Sequence, residues 1–249
     1  MTASAGRAGS DSPGTLPEPQ VQAMFDRIAR VYDRMNAVMT AGLDRRWRER
    51  AADLANVTAG DRVLDVATGT GDLALELAGR VSPGGEVVGA DFSEAMLEIA
   101  RTKGRTGSDS GATVRFEAAN ALALPYADDS FAAATVGFGA RNFADLRRGL
   151  AEMARVVAPG GRVIVLEITI PTRPPLSTLL RVWFDHVVPA LGRLAGDPDA
   201  YEYLPNSVRR FPGPEQLAAI LHESGLRDVG YRLTAGGIIA LHSGTVAGR

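Results

Sequence analysis

The chain has 249 residues, 45% of them apolar and 22% charged, with a formal net charge of −2. That length supplies one sizeable α/β core or two small ones, and the near-neutral balance provides no global basic field, so no nucleic-acid partner is expected. The absence of cysteine excludes disulfides, thiol nucleophiles and thiolate zinc sites.

Residues Met1–Gln20 are rich in Ser, Gly, Ala and Pro. They carry too little apolar surface to offset chain entropy, and a disordered tail over residues 1–20 is expected. A single domain should fill residues 21–249. Met24, Phe25, Ile28, Val31, Tyr32, Met35, Val38 and Met39 recur at helical spacing. A second helix over Leu43–Leu54 turns Trp47 inward, which completes a helical prelude over residues 21–58. Strands and helices then alternate: strand Arg62–Ala67, helix Asp72–Arg80, strand Glu86–Ala90 after Pro83-Gly84-Gly85, and a helix capped by Ser93 or Asp91 that runs to Lys103. Gly104–Gly111 reads as a polar surface loop. Strands follow over Thr113–Glu117 and Phe131–Val136, then a helix over Phe143–Val157 that stops at Pro159-Gly160-Gly161, then strand Arg162–Ile168. This alternation predicts right-handed βαβ crossovers and a mainly parallel sheet, with its core in residues 59–170.

After Ile168 the rhythm breaks. Leu176, Leu179, Leu180, Trp183, Val187, Leu191 and Leu194 lie at helical spacing across a stretch interrupted by Pro189. This amphipathic insertion belongs to a helical cap over residues 171–212. Residues 213–249 hold helix Pro214–Ser224 and strands Arg227–Leu233 and Gly237–His242, whose short link makes an antiparallel hairpin. His186, His222 and His242 are far apart and show no metal-ligand spacing, so no metal is expected. The N-terminus lacks a signal peptide's apolar core, and no apolar run approaches the roughly 18 residues of a membrane span. A soluble cytoplasmic protein is the expectation.

The central motif is Leu64-Asp65-Val66-Ala67-Thr68-Gly69-Thr70-Gly71-Asp72, which follows a strand and opens a helix. Glycines there let the backbone turn tightly and approach a ligand without a Cβ clash. Asp91 closes the second strand, where an acid can accept hydrogen bonds from ribose hydroxyls. Gly69-x-Gly71-x-x-Ala74 also fits a loose dinucleotide fingerprint, so the pair alone leaves the nucleotide open. Three features favour S-adenosylmethionine. Asp65 precedes the glycines, where a carboxylate attracts the donor's ammonium but gains nothing from a pyrophosphate. Asn120-Ala121 and the small apolar residues after them offer an amide and a surface for adenine. The sheet also continues into a hairpin that the dinucleotide fold does not require.

With these residues, the chain resembles the ubiquinone/menaquinone biosynthesis C-methyltransferases over about Met24 to His242. The resemblance rests on Met24-Phe25-Asp26-Arg27-Ile28-Ala29 with Tyr32-Asp33-Arg34-Met35-Asn36, the glycine loop, Gly137-Phe138-Gly139-Ala140-Arg141-Asn142, Pro159 to Glu167, and Tyr201 to Ser207 with Thr234 to His242. It implies a class I methyltransferase: a Rossmann-like, seven-stranded, mainly parallel sheet with N-terminal helices and a helical insertion after strand 5. It also implies S-adenosylmethionine contacts at Thr70, Asp91, Asn120 and Ala121, beside Asp65, Gly69 and Gly71. Where the family usually has a donor-contacting serine, this chain has Gly137, which keeps only a backbone contact. The implied acceptor is a prenylated hydroquinone, demethylmenaquinol in menaquinone biosynthesis, with a polyprenyl-benzoquinol of ubiquinone biosynthesis as the alternative.

The chemistry would be in-line displacement at the donor methyl by an aromatic carbon, made nucleophilic when a phenol of pKa about 10 loses its proton. Arg141 follows the fourth strand, at the end of the sheet where ligands bind; there a guanidinium stabilises the phenolate, and Asn142 helps place the ring. The alternative is an arginine paired with a surface acid. Tyr32 either lines the acceptor pocket and relays the proton or packs in the core. Asp33 is expected to cap or salt-bridge. His186 is a general base or a partly exposed helix residue, His222 a surface residue, and His242 a packing residue. Asp128 and Asp129 read as a solvated turn. The insertion either covers a polyprenyl tail, with a weak peripheral membrane contact at the inner face, or packs on the sheet. Rival readings are a nicotinamide oxidoreductase, a binding module without turnover, and a methyltransferase for another prenylated or polyketide acceptor. Whether the chain is a monomer or a homodimer stays open.

Overall fold

The computed structural model describes residues 17–107, 111–195 and 198–248. Seven strands form one sheet: β1 (Arg62–Val66), β2 (Glu86–Asp91), β3 (Thr113–Ala118), β4 (Phe131–Gly137), β5 (Val157–Ile168), β6 (Leu226–Thr234) and β7 (Ile239–Val246), in the order 3-2-1-4-5-7-6. β1 to β5 run parallel, and β7 lies antiparallel between β5 and β6. The expected sheet and its terminal hairpin are both present. The helices are α1 (Glu18–Thr40), α2 (Asp44–Leu54), α3 (Asp72–Val81), α4 (Glu94–Gly107), α5 (Leu146–Val156), α6 (Leu176–Val182), α7 (Val188–Ala195), α8 (Pro198–Arg210) and α9 (Pro214–Glu223).

Strand alternation sends side chains to two cores. Val63, Val87, Ala133 and Ile164 meet Trp47 and Ala51 of α2, Leu73 and Leu77 of α3, and Leu97 of α4. Leu64, Val88, Val136 and Val165 meet Leu150 and Met153 of α5 and Leu217 and Leu221 of α9. A third cluster joins α1 to the cap: Val21, Met24 and Ile28 pack with Leu180, Phe184, Val188, Tyr201 and Val208. Truncating any one fully buried leucine of these cores to Ala costs about 2–5 kcal/mol.

Several boundaries differ from those read in the sequence. α1 begins at Glu18, not after Gln20, because Pro19 sits in its first turn, where a missing N–H costs nothing, and Glu18 supplies the favourable first-turn acid. Residues 1–16 of the expected tail lie outside the described residues. α4 runs to Gly107, into the stretch expected to be loop, and residues 108–110 lie outside the described ones. α5 starts only at Leu146, capped by Asp145 accepting from Arg148 N at 3.0 Å, and a 3₁₀ turn over Ala140–Asn142 precedes it. β5 already begins at Val157, so Pro159-Gly160-Gly161 lies inside an irregular strand start and not beyond a helix. Pro189 does not break the cap: it falls in the first turn of α7, after a π-helical turn over Trp183–Val187, because a proline cannot donate back to the preceding turn. α8 was not anticipated as a separate helix.

Candidate active site

β1 is flanked by β2 on one side and β4 on the other. The winding of the chain therefore reverses at β1, and the loops leaving β1 and β4 part to form a crevice at their carboxyl ends. A cleft of about 950 Å³, open to solvent, occupies this crevice; its walls are largely apolar but carry four carboxylates, and it is the polar one of two adjoining spaces. Asp65, Gly69, Thr70, Asp91, Asn120, Ala121, Gly137 and Asn142 all line it. Gly71 lies beneath: its φ is +85° and an added Cβ would sit 2.8 Å from the Phe116 ring, so backbone angle and space both demand glycine. Gly69, with φ +56°, has open space around it and needs glycine for its angle alone.

The acids are held from below. Asp65 is 1% exposed and accepts from Thr135 Oγ1 at 2.6 Å and Thr68 Oγ1 at 2.7 Å. Asp91 accepts from Gly69 N at 2.8 Å and Ser93 N at 2.9 Å, so the acid of β2 fixes the glycine turn after β1. Burial pushes both carboxyls up to about 6, against the pull of these hydrogen bonds. The Thr70 hydroxyl donates to Asp33 Oδ1 at 2.6 Å, and Lys103 salt-bridges Asp33 and Asp72, each at 2.6 Å. Asn120 donates from Nδ2 to Glu18 at 2.6 Å and accepts at Oδ1 from Leu122 N at 2.8 Å. α1 is thus tied along the cleft by Glu18, by Gln22 donating to the Phe92 carbonyl, by Asp26 accepting from Ser93, and by Asp33.

The lining tests which nucleotide fits. Among the described residues, Glu18, Asp65, Asp72 and Asp91 face the cleft against one cation, Arg48. Four carboxylates repel a pyrophosphate and suit a ligand with two positive centres, and S-adenosylmethionine has a sulfonium and an ammonium. Gly137 has no positive φ, but an added Cβ would stand 3.1 Å from Leu73 Cδ2, so the glycine reflects tight packing against α3.

A second, apolar cavity, also open to solvent and spanning about 1230 Å³, lies alongside, between α1, α2, α6, the π-helical turn and α8, and includes Met39, Leu43, Trp47, Leu179, Trp183 and Ile238 in its walls. Tyr32, Arg48 and Phe138 line both spaces, so the two meet there. Arg141 faces the apolar cavity and Asn142 the polar cleft. The Arg141 side chain is 7% exposed and pairs at 2.7 Å with Glu167, itself 1% exposed; the acid expected at the surface is a buried one. Nη1 makes both bonds, to Glu167 and to the Phe138 carbonyl at 2.5 Å, and the buried Nε has no partner among the described residues. Asn142 Oδ1 accepts from Tyr203 OH at 3.1 Å. Tyr32 packs edge-on against Phe25.

Other titratable residues fall elsewhere. His186 and His222 are exposed. His242 is 1% exposed, with Nε2 2.9 Å from the Pro214 carbonyl, and burial pushes its pKa down. Asp128 pairs with Arg155. Among the described residues no cluster of His, Cys, Asp or Glu could hold a metal, and no helix is long and apolar enough to cross a membrane. Sequence reasoning missed Arg48, Glu167 and Glu18. Arg48 stands four residues from Asp44 and next to the inward Trp47, a legible sign of a core-facing charge pair; Glu167, an acid ending an apolar strand, was a second such sign.

The family model described as the ubiE/COQ5 methyltransferase family matches residues 14–246. A demethylmenaquinone methyltransferase of Thermus thermophilus is 50% identical over 89% of this chain and 99% of its own length. One of Deinococcus radiodurans is 48% identical over 90% of this chain and 91% of its own length. Among solved structures, a SAM-dependent methyltransferase from Aquifex aeolicus superposes with a TM-score of 0.58 at 18% identity, covering 80% of this chain and 89% of that one; it shares the fold.

Proposed function

The chain belongs to the ubiE/COQ5 methyltransferase family, and on that premise we propose that it moves a methyl group from S-adenosylmethionine to a ring carbon of demethylmenaquinol. The observation that carries this reading is the junction at Tyr32, Arg48 and Phe138, where a polar cleft suited to the donor meets an apolar cavity suited to a prenylated ring. Asp65, Asp91, the glycine turn and Asn120-Ala121 would hold the donor. When bound, it supplies an electrophilic methyl on a sulfonium.

The remaining work belongs to the chain. Arg141 holds a buried positive charge in the acceptor cavity, kept there by Glu167. Nη1 makes the bonds to Glu167 and the Phe138 carbonyl and Nε is sealed in the protein, so Nη2, which makes no hydrogen bond among the described residues, leaves donor capacity for a quinol oxygen. A phenol beside that charge ionises below its ordinary value of about 10, its proton passing to solvent through the open cleft, and the phenolate pushes electron density onto the neighbouring ring carbon. That carbon takes the methyl as the C–S bond breaks to leave the neutral thioether, and loss of its ring proton, with the phenolate reprotonated, restores the hydroquinone. Asn142, steadied by Tyr203, and Tyr32 confine the ring at the junction. Orienting carbon and methyl in line is worth several kcal/mol. Labelled donor incubated with demethylmenaquinol and a polyprenyl-benzoquinol should yield methylated naphthoquinol by mass spectrometry. Product from the benzoquinol alone would reassign the acceptor; donor binding with no product would leave a binding module.

A polyprenyl acceptor lives in a bilayer, and we infer a transient peripheral contact. Of the exposed large apolar residues, Leu43 and Leu179 line the apolar cavity, and Val38, Ile170 and Val182 lie within two residues of others that do. Vesicles containing anionic lipid should float the wild type and release Leu179→Glu; equal flotation of both removes this contact.

A further inference from the structure

We propose that Arg48 binds the carboxylate of the donor's methionyl half. The proposal rests on the donor reading above and goes beyond it, because it gives the cleft a discriminating contact for one end of that ligand. S-adenosylmethionine carries an ammonium and a carboxylate on the same carbon. The carboxylates of the cleft account for the positive centres, but a carboxylate entering among Glu18, Asp65, Asp72 and Asp91 needs a cation, and Arg48 is the one that lines the space among the described residues. Its place also fits, at the junction with the apolar cavity, while Glu18 and Asn120, hydrogen-bonded to each other, line the cleft and not the cavity.

Arg48 is pre-set for the task. Its side chain is 14% exposed, and Nη1 makes both of its ion pairs, to Asp44 at 2.6 Å and to Asp72 at 3.5 Å. Nε and Nη2 make no hydrogen bond among the described residues and are left for a planar carboxylate, which a guanidinium grips with two parallel bonds. Asp44 is itself oriented by the Thr40 hydroxyl at 2.8 Å. Burial works to raise its pKa, but that hydrogen bond and the Arg48 charge outweigh burial and hold it below the ordinary value, so the anchor stays charged.

The test compares S-adenosylmethionine with decarboxylated S-adenosylmethionine by titration calorimetry, without acceptor, so that it does not depend on turnover. Wild type should bind the decarboxylated ligand about tenfold to a hundredfold more weakly, the range of a charge-assisted contact. Arg48→Gln should lose the same factor for the full donor and bind the two ligands within about threefold of each other. Arg48→Lys, which keeps the charge without the fork, should fall between. Equal binding of both ligands by wild type overturns the proposal, and that measurement needs no variant to fold. Wild-type discrimination retained in Arg48→Gln also overturns it, as does an unchanged donor affinity paired with a raised KM for the quinol. No binding of either ligand would instead overturn the donor reading itself.

Discussion

The polar cleft and the apolar cavity share a wall but are built by opposite means. The cleft stands on strand ends: Asp65 and Asp91 leave β1 and β2, and each is fixed by two hydrogen bonds to neighbouring loops or strands. The cavity stands on helices, where Met39, Leu43, Leu179 and Trp183 supply area more than direction. The cleft can therefore demand a particular ligand charge and shape, while the cavity can take a tail of variable length. Arg141 is the exception on the cavity side, because Glu167 and the Phe138 carbonyl hold it as firmly as the cleft acids are held.

That exception gives the sharpest way to separate the two regions. Arg141→Ala should lower kcat about 10²- to 10³-fold, the usual loss for one electrostatic stabiliser of a developing charge, with donor affinity unchanged. It also leaves Glu167 buried without its cation, a cost of about 3–5 kcal/mol seen as a lower Tm. Arg141→Lys keeps the charge and should recover most of the stability and part of kcat. A matching fall in donor affinity would mean that the division between the regions is misplaced.

The cleft should answer to pH where the cavity does not. Asp65 and Asp91 sit at about 6, raised by burial above 3.8. For the unliganded fold, such a raised carboxyl adds stability below the unfolded value, and that contribution is lost as pH rises through about 6. A cationic ligand needs the ionised form, so donor affinity runs the other way. Between pH 7 and pH 5 the donor Kd should rise about tenfold for each of the two that must be charged. Calorimetry in buffers of different ionisation enthalpy would count the protons released on binding near pH 6. A flat Kd across this range would remove both acids from the donor's charge partners.

The converse test truncates the cavity. Trp183→Ala removes apolar wall, and at roughly 25 cal/mol per Å² its loss should raise the KM for a long-tailed acceptor about tenfold. A short-tailed analogue should be affected less and the donor Kd not at all. Equal penalties for both acceptors would place Trp183 against the ring.

What was legible in the sequence follows the same divide. The strands and the glycine turn announce themselves through local chemistry: a buried apolar run, a positive φ that only glycine takes without strain, an acid at a strand end. The cleft-lining residues from Asp65 to Gly137 were accordingly placed by spacing and by family likeness. The partners across space were not legible. Nothing local tells that Glu18 reaches Asn120, 102 positions away, or that Thr70 donates to Asp33 across 37. Composition put Glu18 in a tail because the helix it opens is stabilised by packing against α4 and the cap, which a window of polar residues does not display. Helix ends moved for a related reason: Pro189 and Pro159 read as breakers, yet the fold places one in a first turn and the other in an irregular strand start.

Gly137 offers the mildest probe, and one that works inside the cleft. The family's usual residue there is serine, and its return tests whether the glycine is a loss or an adaptation. The backbone permits the change, since this position does not need a positive φ. The new Cβ would lie 3.1 Å from Leu73 Cδ2 and 3.9 Å from Leu166 Cδ2, so the tip of one leucine must shift by a few tenths of an ångström. That strain bears on the fold whether or not ligand is bound, and should cost about 1 kcal/mol or slightly more. The added hydroxyl lines the cleft and bears on the donor alone, where one neutral hydrogen bond is worth about 0.5–1.5 kcal/mol. Gly137→Ser should therefore tighten donor binding by about twofold to tenfold while lowering the Tm by a few degrees, the two effects appearing in separate measurements. If donor binding weakens instead, the serine cannot be accommodated beside Leu73, and the glycine belongs to a repacked α3 contact peculiar to this chain.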